Sequence, residues 1–352
     1  MNKKILLSFS INLLFFSVFA GNPDRQGEAG AYELLLNPWA RSVGLHAMNT
    51  ASVRGVEAMS LNVAGLSRIN SLEIGIGHSI YLQGTGLSIN ALGIAKKVGD
   101  NGAFGIAINA LSFGKIPVTT NALPEGTGAT FTPTFFNIGL SYSHIFEKKV
   151  SVGITARFIN ESLADISASG ISVDAGVQYV TGSEKYAERF KFGINLRNVS
   201  PAGMRFGGQG LNTSGINPDG TQPYQLSYSK QGARFGLPAQ LNIGASYDIL
   251  PDEKMRLTAV GNFTSNSFSR DELGGGLEFS LNNIFVLRGG YKYEMGVKSG
   301  DVNKSVYTGV CGGLSIELPF NKGGSQKLSI DYGYLASSPW NGTHNIALRL
   351  NL

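Results

Sequence analysis

The sequence is short of the features that hold together or recruit most exported proteins. It has one cysteine, Cys311, in 352 residues, which excludes an intramolecular disulfide framework. Only 15% of its residues are Asp, Glu, Lys or Arg, well below the roughly 25% of an average soluble domain. The net charge is +5, yet the basic residues never form a Lys/Arg-rich run, so no nucleic acid is expected as a partner. Beyond residue 20 there is no run of about 18 apolar residues, so the remaining chain should cross no membrane by helices. Catalytic signals are absent as well. His46, His78, His144 and His344 are far apart, with no Cys, His or Glu at metal-ligand spacing, and no Gly-x-x-x-x-Gly-Lys-Ser/Thr stretch occurs. Gly207-Gly208-Gln209-Gly210 lacks a strand-to-helix context and is expected to be a flexible surface loop. No enzyme, metal site or cofactor is expected.

What is present begins with an export signal. Lys3 and Lys4 precede a mostly apolar stretch from Ile5 to Phe19, and Val18-Phe19-Ala20 fits a small-residue cleavage site before Gly21. Residues 1–20 are therefore expected to be a removable signal peptide. The mature chain carries 47 glycines and has a mean hydropathy near zero, a composition suited to neither disorder nor a solvated globule.

From residue 71 onward apolar and polar residues alternate, the period-2 pattern of strands with two unlike faces. In Phe190-Lys191-Phe192-Gly193-Ile194-Asn195-Leu196-Arg197 one face is wholly apolar and the other polar or glycine. Such segments recur near 71–80, 86–96, 103–114, 134–146, 150–160, 170–180, 189–199, 237–249, 255–263, 272–281, 285–293, 305–318, 327–335 and 343–352. That is an even set of fourteen, each long enough to cross a bilayer at a tilt. Every second connection is short, such as Glu147 to Lys149 and Asn282-Asn283, whereas Lys115 to Pro133 and Ser200 to Gly236 are long. Bacterial barrels sort turns and loops in this way. The expected fold is all-β: a 14-stranded antiparallel transmembrane β-barrel over 71–352 in the outer membrane, surrounded by its lipids, with both termini in the periplasm.

The polar parity of the strands carries Glu73, Arg157, Asp174, Lys191, Arg197, Arg256, Glu278, Arg288, Lys292, Glu317, Asp331 and Arg349. These should point inward as a network of ion pairs and hydrogen bonds, because a charge facing lipid at mid-depth costs about 2 to 4 kcal/mol. The many glycines, among them Gly274-Gly275-Gly276 and Gly312-Gly313, fit curvature and bulges in the barrel wall. Fourteen strands enclose more space than their own side chains fill. Residues 21–70 lack alternation but hold Trp39, Leu45, Met48, Met59 and Leu61, and are expected to fold inside as a hatch.

The stretch Asn62-Val63-Ala64-Gly65-Leu66 looks like the Asn-Pro-Ala-Gly-Leu element that follows the hatch in FadL-type barrels. Asn37-Pro38-Trp39-Ala40-Arg41-Ser42-Val43-Gly44, with Asn49-Thr50-Ala51-Ser52-Val53, resembles the opening of the PorV/PorQ family of Bacteroidetes. The likeness continues through Leu123-Pro124-Glu125-Gly126, Asp174-Ala175-Gly176-Val177-Gln178-Tyr179, Gly193-Ile194-Asn195-Leu196-Arg197-Asn198-Val199 and Leu237-Pro238. It departs at Val63, where many relatives have Pro. The resemblance implies a non-catalytic barrel of type IX secretion whose partners are translocon or attachment-complex proteins and secreted cargo. Asn37, Pro38, Trp39, Arg41, Asn62 and Gly65 are the hatch residues it singles out. A FadL-like transporter of hydrophobic small molecules is the alternative. The charged inward parity favours the sealed protein-binding barrel over the transporter.

Overall fold

The computed structural model describes residues 21–181, 189–216, 223–249, 254–297, 305–321 and 326–352, with backbone alone over 209–216 and 223–230. The expected signal peptide, and parts of the expected turns after 181, 250 and 319, lie outside the described residues. In chain order the strands are β1 (Leu72–Tyr81), β2 (Leu87–Val98), β3 (Gly102–Ser112), β4 (Ile116–Pro117), β5 (Thr130–Phe131), β6 (Thr134–Phe146), β7 (Val150–Leu163), β8 (Ile166–Val180) and β9 (Phe190–Val199). They continue as β10 (Met204–Ile216), β11 (Pro223–Phe235), β12 (Gln240–Ile249), β13 (Met255–Asn266), β14 (Glu272–Leu281), β15 (Phe285–Glu294), β16 (Tyr307–Pro319), β17 (Lys327–Ser337) and β18 (Thr343–Asn351).

All neighbours pair antiparallel. β1 closes on β18, from Glu73 opposite Asn351 to Ile80 opposite His344, and β8 pairs with β9. The result is a closed barrel of fourteen strands, since β4, β5, β10 and β11 lie outside the ring. Its strands coincide with the fourteen segments of period-2 alternation. Short turns are written locally: Asn282, Asn283 and Ile284 join β14 to β15, and both asparagines are at positive φ, the left-handed conformation that Asn tolerates in turns.

Two expected loops contain structure. The connection from Ser200 to Gly236 forms the β10–β11 hairpin, attached to β8 where Gly207 opposes Ser167 and Gly208 opposes Ile166. Gly207 to Gly210 is thus strand and not flexible loop. Its glycines admit a close backbone approach, for a Cβ on Gly208 would lie 2.5 Å from the Asp165 carbonyl. Within 115–133, β4 and β5 pair as a small second sheet.

The outward face is apolar, and Leu140, Ile154, Ile171 and Leu287 stand more than half exposed. Phe104, Tyr142, Phe146, Tyr179, Phe190, Tyr247 and Phe285 face outward near the short-turn ends of their strands. This is the aromatic girdle of a bilayer interface. No helix among the described residues is long and apolar enough to cross a membrane. The protein is an outer-membrane barrel, crossing with strands.

Candidate functional site: the hatch and the cavity above it

Residues 32–70 pack inside the barrel as short helical turns, at Tyr32–Leu35, Ala40–Val43, Gly55–Ser60 and Val63–Arg68. Trp39, Val43, Val56, Met59 and Leu66 are almost wholly buried. Trp39 is oriented at both ends: its backbone N–H donates to Asn37 Oδ1 at 3.0 Å and its indole N–H to Ser60 Oγ at 3.1 Å. Asn62 caps its turn by accepting from the Ala64 N–H, while its amide donates to the Thr50 and Val177 carbonyls. Pro38 lies against β1, where a Cβ on Gly77 would come within 3.0 Å of its carbonyl. Gly65 sits against the Val53 carbonyl with no room for a Cβ. Arg41 lies among Glu278, Glu57 and Glu317. Burial and the nearby Arg349 oppose its charge, yet these three carboxylates hold its guanidinium above the ordinary value.

The wall makes room for the hatch with glycine. A Cβ on Gly75 would lie 2.7 Å from Val56, on Gly153 2.7 Å from the Val63 carbonyl, and on Gly193 2.6 Å from the Thr50 carbonyl. On Gly276 and Gly313 it would meet Leu45 and Gly44, each at 2.9 Å. Part of the glycine content expected to serve curvature instead seats the hatch, because a side chain there would occupy the hatch's own volume.

The charged residues of the wall lock the two together. Arg157 donates to Asp174 at 2.7 Å, to Asn137 at 2.9 Å and to the hatch carbonyl of Met59 at 3.1 Å. Asp174 also accepts from the Asn198 N–H. Arg197 donates to the Leu34 carbonyl and the Val56 N–H to Glu73. A chain of contacts runs from Arg256 and Arg288 on Glu278, through Ser315 and Asp331, to Arg349. Arg349 reaches the fully buried hatch residue Glu57 at 3.4 Å. Lys191 pairs with Asp248, and Lys292 with Glu272.

Above the hatch the lumen changes character. A cavity of about 710 Å³ lies on the outer side of the hatch, with Leu36, Val43, His46 and Ala47 as its floor. Leu87, Ile89, Leu111, Phe113 and Phe135 form one wall. Its lining includes the loop residues Ser269, Arg270 and Ser305, so it reaches the outer mouth. Burial keeps His46 neutral, with Lys292 adding to the effect, and pushes its pKa down to about 3. The inward charge favours a sealed protein-binding barrel, but this cavity presents a continuous apolar wall, with Glu33, Glu161, Glu272, Lys292 and Glu294 among the remainder of its lining.

A second cavity, of about 280 Å³, joins His46 and Tyr307 of the lumen to Tyr291, Tyr293 and Thr308, whose side chains face outward. It lies where the β15–β16 ladder stops after Tyr291 opposite Val310 and where β16 shifts register against β17 between Tyr307 and Cys311. Gly309, at φ +90°, turns the chain at this point.

The architecture matches solved outer-membrane channels. The Ralstonia pickettii toluene transporter TbuX superposes with a TM-score of 0.56 at 15% identity, covering 90% of this chain and 98% of that one. The Pseudomonas putida toluene transporter TodX gives 0.53 at 13% identity, over 90% and 97%. The CymD monoaromatic hydrocarbon channel gives 0.54 at 15%, over 88% and 95%. The fold is FadL-like. At such identities the likeness concerns the fold alone. No protein-family model matches the chain, and no curated protein does. Among the described residues no group of three or more His, Cys, Asp or Glu could hold a metal ion. Outward-facing His78, His144 and His344 bond instead to Asn90, Tyr142 and Tyr332.

The sequence singled out the hatch and the charge network. It missed the cavity wall, although a signal exists: Ile89, Leu111 and Phe135 are apolar residues on the parity that elsewhere in the same strands carries Ala, Gly or polar side chains.

Proposed function

We propose that this barrel takes up apolar small molecules from outside the cell; solved structures sharing its fold are described as toluene transporters and a monoaromatic hydrocarbon channel. The observation that carries the reading is the outer cavity: its size lies within the roughly 300 to 1,000 Å³ of ligand pockets, and its walls remove apolar surface from water. The hatch floor blocks straight passage to the periplasm. The gap between β15 and β16 offers a side exit toward the lipid, where an apolar molecule is more stable than in water.

The test is uptake of radiolabelled toluene by cells carrying the protein. Leu111→Arg places a charge in the cavity on an inward-facing position, where no lipid penalty arises. Uptake should fall at least tenfold while the folded barrel retains its heat-modifiable gel mobility. Uptake equal to that of cells lacking the barrel would remove the proposal.

A second reading, a component of type IX secretion that binds translocon or attachment-complex proteins and cargo, is supported by the sequence resemblance of the hatch and wall motifs. The β10–β11 hairpin outside the ring offers backbone edges of the kind that protein partners pair with. Copurification from the native membrane, with identification of the bound proteins, discriminates the two: secretion proteins in stoichiometric amount favour this reading.

A further inference from the structure

Gly21, the expected first residue of the mature chain, does not lie at the periplasmic end of the barrel, where the sequence placed it. The backbone nitrogen of Gly21 donates to Asp271 Oδ2 at 2.6 Å, in the outer connection between β13 and β14. Only the C-terminal end, where the Leu352 N–H donates to the Leu72 carbonyl, lies at the periplasmic rim. Asp271 is 3% exposed and held in place: Oδ1 accepts from the Asn266 N–H at 3.1 Å, and its carbonyl accepts from the Met295 N–H at 2.8 Å. A Cβ on Gly21 would lie 2.6 Å from Oδ1 and 2.7 Å from the Asp271 nitrogen, so this position has room only for glycine. Further along, the Arg25 guanidinium stacks 4.1 Å above the Phe268 ring, and the Gly30 N–H donates to the Gly236 carbonyl at 3.1 Å. Residues 21–30 thus form a strap pinned at both ends to outer connections.

Gly21 is also the residue that follows the cleavage pattern Val18-Phe19-Ala20. We propose that signal-peptide removal creates the group this site binds: the Gly21 α-ammonium docks on Asp271 and fastens the strap across the mouth of the barrel. The step is hydrolysis of the Ala20–Gly21 amide. Water supplies the oxygen that leaves with the Ala20 acyl group as a carboxylate, and the Gly21 nitrogen departs as an amine that takes up a proton. Before cleavage that nitrogen is a neutral amide donor. Afterwards it is a cation, so a hydrogen bond from a neutral donor to the Asp271 carboxylate becomes an ion pair with both partners charged. The strap bears on the cavity, because Gln26, Ala31 and Tyr32, within or next to it, line the wall. Export and processing therefore complete the outer cavity, whatever that cavity binds.

The test uses the purified mature protein. Its intact mass should place Gly21 first. Acetic anhydride at neutral pH, followed by peptide mapping, should acetylate the Gly21 amine at least tenfold more slowly in the wild type than in Asp271→Asn, with exposed Lys115 as the internal control. A variant processed with one extra alanine before Gly21 keeps Asp271 and should label as fast as Asp271→Asn, so the outcome does not depend on that substitution folding. Heat-modifiable mobility reports the barrel in each case. A mature chain beginning at another residue, or equal labelling rates in the wild type and both variants, would overturn the proposal.

Discussion

At the residue scale the account rests on buried charges that are paired within the wall and bonded to the hatch, as Arg157 is to Asp174 and to the Met59 carbonyl. Asp174 neutralises Arg157 and accepts the Asn198 N–H. Asp174→Ala should therefore cost about 3 to 5 kcal/mol, the range for removing one partner of a buried pair. Replacing Arg157 and Asp174 together by leucine should cost less. Urea midpoints of the heat-modifiable band measure both, and equal losses would mean that the pairing is not what stabilises this region. Glu33 behaves differently. Burial, reinforced by the facing carboxylate of Glu161, raises its pKa to about 8, so the folded hatch binds a proton that the unfolded chain releases near 4.5. The Glu33 contribution is then complete below pH 4.5 and is lost as pH rises through about 8. His46 adds the opposite slope, since its depressed pKa withdraws stability as pH falls from 6.5 toward 3. Protease cleavage within residues 32–60 should accelerate between pH 6 and 9 in the wild type and lose that dependence in Glu33→Gln.

At the element scale the strands were legible because period-2 alternation needs only the residue's own polarity, and the bilayer enforces it over whole segments such as Phe190 to Arg197. Leu140 is 58% exposed at the centre of β6. Leu140→Arg should lower barrel stability by about 2 to 4 kcal/mol, the cost of a charge at mid-depth, whereas a midpoint matching the wild type would remove β6 from the lipid-facing wall. The β10–β11 hairpin was not legible, since glycine-rich Gly207 to Gly210 carries no alternation and its pairing partner, β8, is distant in sequence. The role of the wall glycines was hidden for a related reason. Gly193 reads as a gap in a strand until Thr50, from another part of the chain, is seen to fill it. His46 and Glu33 gave no signal either, because their burial depends on where the hatch lies.

At the scale of the whole molecule, fourteen strands leave a lumen divided by the hatch into a charge-rich inner part and an outer cavity with one apolar wall. Everything proposed for the protein depends on that floor. Deleting residues 23–60 while retaining the signal peptide removes the floor together with Trp39, Val56 and Met59, but none of the strand pairings that close the ring. Single-channel recording in planar bilayers tests this directly. The intact protein should be closed or nearly so, and the deleted form should insert and conduct ions steadily through an open lumen. Equal conductance with and without the segment would contradict the sealed barrel.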